Sequence, residues 1–544
     1  MSAERGHELG NLAEAKALAA PVSEELSDAD YADNQQLARL GKKSVLKRNF
    51  GFMSILGFSC TILITWEASL ILSAPGLANG GPAGVIYGYL IVWIGNISVF
   101  TTLSELVSMA PTSGGQYHWV AMLAPRSSAK FLSYITGWLT VAGWQGSVAS
   151  SGFLTGNMIK GMITMTATYY NYDPQPWHGT LLFWAVIFFA VFINAVVSST
   201  LPKFEGLILI LHILGFFAIL IPLVILSPHG AASDIFTNFQ NGGNFPTQGL
   251  SFMVGMMGNV FAFVGTDAAF HMAEETQNPS VVVPRSILIS MLINGVTGFA
   301  MTLAVLFCLG DDIESLLKSA TGFPHLQIFL NSTKNVAGAT TMAAIITTLG
   351  ICATVGMLAS TSRVFWSFAR DRGLPFWRTL SKVDARTTVP LYAIAVTTVI
   401  SCLLALIQLG SVTAFNSIVS ISVSSLYSSY LIVAVLLLYR RCTTGFAMPD
   451  HSELPALANT AGTELIWGPW HLPGSIGIAN NAFSCVYLVV IWFFSFWPPG
   501  PIPVTAETMN YAVVMTGGVF IISVIYYFVW ARKEYDGPIV EVEA

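Results

Sequence analysis

Three ionisable side chains stand where water does not reach: Glu67, His212 and Asp267 each fall inside an apolar run long enough to cross a bilayer. A charge at membrane depth is costly, so such groups face a cavity or a partner and are functional candidates by default. Glu67 sits in Ile64-Thr65-Trp66-Glu67-Ala68. A carboxylate there can attract a cation, carry a proton or pair with a neighbouring helix. Asp267 closes the run Phe261-Ala262-Phe263-Val264-Gly265-Thr266-Asp267. Gly265, between Val264 and Thr266, is a place for the helix to break. Breaks at this depth are tolerated where they line a cavity, and the freed helix ends make ion sites. His212 can titrate near neutral pH or satisfy an interhelical hydrogen bond. Trp66 and Phe263 adjoin the carboxylate and the glycine. They would cage a quaternary amine through cation–π contact, or simply pack.

The elements that position these groups are written in the composition. Of 544 residues, 54% are hydrophobic and 10% charged, against roughly 25% charged in a soluble domain. The mean hydropathy is +0.65. A span needs about 20 mostly apolar residues, and uninterrupted apolar runs exclude a β-barrel, whose strands alternate. The chain therefore predicts an all-α integral membrane bundle. The expected spans are 50–74, 83–109, 130–165, 180–198, 205–227, 249–272, 285–309, 338–367, 389–410, 412–438, 475–497 and 509–531. That division gives an N-terminal tail (1–49, disordered to about Gly41), a transmembrane domain (50–531) and a short C-terminal tail (532–544). The N-terminal tail has no short apolar stretch that would read as a cleavable signal peptide. The six cysteines lie mostly in apolar runs without metal-type spacing and read as small hydrophobes.

Cationic residues orient the bundle. With both termini inside, only Lys160, Lys318 and Lys334 of the 24 Lys and Arg residues fall on the outside, leaving 21 in tails, inner loops or inner helix ends. Both termini are accordingly expected in the cytoplasm, and Asn331-Ser332-Thr333 becomes an outer glycosylation sequon. Gly152-Phe153-Leu154-Thr155-Gly156 has the small-xxx-small spacing of a helix contact.

The sequence contains no Walker loop, dinucleotide fingerprint, catalytic triad, metal cluster or basic–aromatic patch. That argues against ATP-driven pumping, redox chemistry, enzymatic activity and nucleic-acid binding, and it calls for no cofactor or metal. Asn79-Gly80-Gly81-Pro82, the run Pro111-Thr112-Ser113-Gly114-Gly115-Gln116-Tyr117-His118-Trp119 and the Phe261–Asp267 stretch resemble the amino acid–polyamine–organocation superfamily. His271-Met272-Ala273-Glu274-Glu275 with Asn278-Pro279, and Trp366-Ser367-Phe368-Ala369-Arg370-Asp371, narrow the resemblance to fungal amino acid/choline permeases, the group with GABA and choline transporters. The resemblance implies twelve helices in a leucine-transporter-like fold: two inverted repeats of five plus two C-terminal helices. It further implies a mid-membrane substrate site between broken helices one and six. That site would set Thr65, Trp66 and Glu67 opposite Phe261, Phe263, Gly265, Thr266 and Asp267, with Phe261 as an aromatic gate. Glu67, His212 and Asp267 become the proton-coupling candidates.

One departure bears on substrate. Many relatives hold a substrate carboxylate on a glycine-rich turn in helix one, whereas Leu63-Ile64-Thr65-Trp66-Glu67 has no glycine nearer than Gly57. An acid beside that turn repels a carboxylate and favours an amine, which directs attention to GABA, polyamines or choline. The resemblance thus implies a secondary active, proton-coupled transporter of a small amine-bearing solute, in the plasma membrane. A nutrient sensor on the same fold and an exporter of a metabolite are the alternatives.

Overall fold

Without water to accept their hydrogen bonds, backbones inside a bilayer close on themselves as helix, and helix is what the apolar runs become. The computed structural model describes residues 28–166, 172–310, 312–410, 412–448, 456–506 and 508–541. Two isolated bridges apart, it is all-helical among the described residues. After α1 (Asp28–Arg39) come α2 (Phe52–Leu63) and α3 (Thr65–Ile71), which together form the first predicted span. Next are α4 (Ser73–Met109), α5 (Gln116–Leu123), α6 (Arg126–Met165), α7 (Pro176–Ala195) and α8 (Leu201–Leu226). The sixth predicted span is broken into α9 (Gln248–Gly255), α10 (Met257–Phe261) and α11 (Ala268–His271). The chain continues through α12 (Pro279–Phe307), α13 (Pro324–Thr333), α14 (Val336–Arg370), α15 (Leu391–Ala405), α16 (Val412–Thr443), α17 (Gly474–Ser495) and α18 (Ala512–Val529).

Among the described residues, ten helices are long and apolar enough to cross a membrane. Two of the twelve expected spans are not in that set. The 40-residue α6 is rich in Ser, Thr and Gly, and 249–272 is interrupted. The bundle is apolar on the outside as well as within. On α8, Leu207, Ile210, Leu214, Phe217, Ile221 and Val224 point outward, while Glu205, His212, Gly215 and Ile219 are buried. Only a lipid-like surrounding accommodates such a surface. Small residues let helices close: a Cβ on Gly152 or Gly156 would meet Phe183 of α7 at 2.3 and 2.8 Å, so the small-xxx-small pair is a helix contact.

The N-terminal segment corrects an expectation. Residues 1–27, part of the predicted disordered tail, lie outside the described residues. From residue 28 the chain is ordered: α1 forms and Leu37, Leu40 and Leu46 are buried. Asp33 accepts the Asn278 amide at 2.8 Å, and Arg48 donates to the Thr276 carbonyl at 3.1 Å. The C-terminal segment, described to residue 541, docks on the same face. Tyr535 is buried and its hydroxyl is 2.6 Å from Ser133 Oγ. The apolar residues of α1 were too few to predict helix on their own; docking against the bundle supplies what the isolated segment lacks.

Candidate substrate site

The first interruption falls at Ile64, which adopts φ 35° and ψ 46°, a left-handed conformation that a β-branched residue rarely takes. Across it the Ile64 amide still reaches the Cys60 carbonyl at 3.2 Å, and the Ala68 amide reaches that of Ile64 at 2.8 Å. The Thr65 amide turns aside and donates to Asn294 Oδ1 of α12 at 3.1 Å. Beyond the break, α3 carries Trp66 and Glu67 toward α8. Glu67 is fully buried, and its Oε1 lies 2.8 Å from His212 Nδ1. The Trp66 ring packs on His212 and Phe216, with centroids 5.8 and 6.2 Å apart. Four polar atoms here have no protein partner: Thr65 Oγ1, Trp66 Nε1, Glu67 Oε2 and His212 Nε2.

The second interruption follows Phe261. Gly265 has φ +97°, which only glycine adopts without strain, and a Cβ there would stand 3.0 Å from Ile62 Cγ2 on α2. The two broken helices therefore touch at their interruptions. They touch again where Gly258 of α10 meets the Leu72 carbonyl, 2.7 Å from an added Cβ. Phe263 packs against Tyr89 of α4 at 5.5 Å, and Thr266 donates to the Phe263 carbonyl at 2.9 Å. Asp267 Oδ2 accepts from Gln116 Nε2 at 2.8 Å and Trp144 Nε1 at 3.1 Å, and lies 3.5 Å from His271 Nε2.

Glu67 and Asp267 thus head two polar centres. The first, on α3 and α8, brings His212 onto Glu67, a pairing the sequence did not indicate. The second draws on α5, α6 and α11. Trp66 and Phe263 each pack on neighbours of their own. Sequence reasoning missed Asn294, Tyr89, Gln116, Trp144 and His271. Asn294 had a signal, an amide inside an otherwise apolar run. Glu105, Glu205, Glu274 and Glu275 are buried as well. Glu205 is held by Thr61 Oγ1 at 2.5 Å.

A cavity of about 450 Å³ is lined by Asn79, Gly242, Ser420, Pro499 and Asn510. A smaller one of about 70 Å³ shares Ser420, Pro499 and Asn510 and is lined by Phe261. Asn79 and Glu105 lie toward opposite ends of α4, and around Glu105 the bundle is closed by ion pairs. Arg441 meets Glu105 at 2.5 Å, Arg370 meets Glu274 at 2.8 Å, and Arg363 meets Glu275 at 2.7 Å. Lys42 pairs with Asp371, whose carboxylate also accepts from the Tyr117 hydroxyl and the Ile539 amide. Burial opposes the charge of Asp371, but Lys42 and Arg370 outweigh it and hold the carboxyl below its usual range. Glu274 is likewise lowered: Arg370 and the Ser113 amide overcome its burial.

An all-helical, multi-pass bundle with two interrupted helices in contact, and carboxylate–imidazole pairs buried beside the interruptions, is the build of a membrane carrier rather than an enzyme. The chain belongs to the amino acid permease family, whose pattern matches residues 50–520. It is 30% identical to the choline transporter of Saccharomyces cerevisiae over 94% of this chain and 87% of that one. It is 29% identical to an amino-acid permease of Arabidopsis thaliana, over 93% and 96%. To the GABA-specific permease of S. cerevisiae it is 26% identical, over 93% and 86%.

Proposed function

We propose that the protein imports a small amine-bearing solute of the GABA, choline, polyamine or amino acid class across the plasma membrane, coupled to protons, by alternating access. In this reading α6 and the interrupted α9–α11 cross with the ten apolar helices, giving twelve spans. Spans one to five and six to ten form inverted repeats, two helices follow, and the Lys42–Asp371 face is cytoplasmic. Residues 50–531 are the carrier, and the stretches beyond are its cytoplasmic tails. Thr65, Trp66, Glu67, Phe261, Phe263, Gly265, Thr266 and Asp267 line the substrate site.

The observation that carries the proposal is the set of orphaned polar atoms on Thr65, Trp66, Glu67 and His212. A buried polar atom left unmatched costs about 1–3 kcal/mol; an amine can donate to Glu67 Oε2 and Thr65 Oγ1, while Trp66 Nε1–H needs an acceptor elsewhere on the same ligand. Glu67 Oε2 is the acceptor facing such a ligand; Oε1 and His212 Nδ1 share a hydrogen bond along which a proton can move. The names of the relatives support the amine class. The cavities ending at Phe261 suit entry from the face opposite the ion pairs, which must then separate to release solute.

The test is uptake of labelled choline, GABA, putrescine and amino acids into proteoliposomes with and without an imposed pH gradient. Accumulation that collapses with a protonophore is expected. In Glu67→Gln, coupled accumulation should vanish while folding persists. Vesicles that bind solute without accumulating it would identify a sensor; protonophore-insensitive uptake would remove proton coupling.

A further inference from the structure

Most buried acids of this bundle have a base at hand. Glu67 and Asp267 each lie beside a histidine, Glu105, Glu274 and Glu275 each meet an arginine, and Asp371 meets Lys42. Asp33 lies near Arg48. Glu205, in the first turns of α8, is fully buried and has no base within ion-pair reach among the described residues. A buried carboxylate without a countercharge is so costly that the group binds a proton instead. The hydrogen bonds agree. Thr61 carries one hydroxyl hydrogen and faces two acceptors, Glu205 Oε2 at 2.5 Å and the Phe58 carbonyl at 3.4 Å. Both contacts are hydrogen bonds at once when Glu205 itself supplies a hydrogen. Its other oxygen, Oε1, has no partner, an arrangement a neutral acid bears better than a carboxylate.

Three helices close on this carboxyl, and glycine brings them there. A Cβ on Gly57 of α2 would stand 2.7 Å from the Glu205 carbonyl oxygen. One on Gly356 of α14 would stand 3.5 Å from Glu205 Oε1 and 2.7 Å from Ile62. Thr61 and Ile62 come just before the break at Ile64, whereas the start of α2 is tied to the ion-paired face: the Phe50 amide donates to the Glu275 carbonyl at 3.0 Å. Glu205 therefore lies between the break and the closed face, in the seam where α2 parts from α8 and α14 if that face opens. The other titratable groups on the packed elements do not supply a countercharge. Cys352 of α14 faces Glu205, and Cys60 of α2 faces Ser290. Lys203 of α8 and Arg285 of α12 are exposed. Arg363 of α14 is held by Glu275, and His212, further along α8, by Glu67. His325 sits on α13, which meets α8 at its other end through Ser332 and Ser227. We propose that Glu205 is a proton-binding site separate from the Glu67–His212 pair. As a neutral acid it seals α2 against α8 and α14. When the seam parts, the Oε2–H bond breaks, the proton passes to water, and the hydrated carboxylate holds the seam open until a proton returns. The proposal rests on the reading of the Lys42–Asp371 face as one that opens, and on neither the substrate nor Glu67.

Opening can be read without substrate, as thiol labelling from the closed face of the full-length protein. The reporter is Ser113→Cys, a buried position beside Glu274, with the exposed Cys442 changed to Ser. Glu205→Gln fixes the neutral form, so dividing the parent rate by that of the Gln variant cancels the thiol's own titration. The ratio should climb between about pH 6 and about pH 9, approaching tenfold per unit for a single proton. A ratio that stays flat overturns the proposal, and so does one that follows sodium concentration at fixed pH. If Glu205→Gln does not fold, Thr61→Val decides, with rates divided by those of the denatured protein. Without a hydroxyl to accept its hydrogen the neutral acid is weakened, so the rise should move to lower pH. An unmoved rise, or one moved to higher pH, would mean that Thr61 does not support the acid form and overturns the proposal. Protonophore-insensitive uptake with the pH-dependent rise intact would fault only the coupled-transport reading and leave this site standing.

Discussion

Replacing Glu275 by Gln perturbs the closed face at a single atom. Arg363 is 2% exposed and meets Glu275 through two contacts, Nε to Oε1 at 2.7 Å and Nη2 to Oε2 at 3.4 Å. Removing one partner of a buried pair costs about 3–5 kcal/mol, because the other charge stays buried. Gln retains an acceptor for one guanidinium contact, so the lower end, about 3 kcal/mol, applies. If the pair exists only while this face is closed, that energy is lost from the closed state alone. At 1.4 kcal/mol per tenfold, the open population should rise by roughly a hundredfold. Ser113 provides the reporter. It is buried, its hydroxyl has no partner, and its amide is bonded to the neighbouring Glu274. In a Ser113→Cys background with the exposed Cys442 changed to Ser, thiol labelling from this face should accelerate by a comparable factor in Glu275→Gln. The charge swap Glu275→Arg/Arg363→Glu should return it toward the parent rate. An unchanged labelling rate in a folded Glu275→Gln protein would refute the argument that this pair distinguishes the two states.

Three further outcomes follow from the geometry. Gly265→Ala places a Cβ at φ +97° and 3.0 Å from Ile62; a loss of about 1–3 kcal/mol should lower the melting temperature in detergent, and Ile62→Val should recover part of it. His118 and His325 are buried outside the spans, and burial lowers their pKa to about 4 and about 3. Their unfolded forms, with a pKa near 6.5, take up protons that the folded protein refuses, so stability falls as pH drops below about 6.5, by about 2 kcal/mol per histidine at pH 5. Melting curves at pH 7 and 5 check this, and His325→Gln should reduce the difference. Lys42→Met removes the Asp371 partner on the N-terminal segment and should speed proteolysis near residues 28–49, an effect absent from the exposed Lys318→Met.

The membrane architecture was legible because apolar runs report the solvent directly, and the break in the sixth span was legible because a glycine at depth marks it; a break in the first span came only with the resemblance. What sequence did not disclose was direction. Asp267 reads as a partner of Glu67 on a one-dimensional list, yet it turns toward Gln116, Trp144 and His271. The break at Ile64 gave no backbone signal, and the side chain that takes up the Thr65 amide beside it, Asn294, comes 229 residues later. The burial of Glu105, Glu274 and Glu275 was hidden for a related reason: the arginines that pair with them, Arg441, Arg370 and Arg363, are joined to them only by folding.

Asp371 also sets an order of events during synthesis. Its carboxylate gathers Lys42, Tyr117 and the amide of Ile539, the last made 168 residues after the aspartate itself. Until that stretch has left the ribosome, the Lys42–Asp371 face of the bundle carries an incompletely matched acid and an uncovered seat for Tyr535. A chain interrupted before residue 535 therefore displays a persistent defect at that face, and adding the stretch from Tyr535 to Ile539 is what hides it.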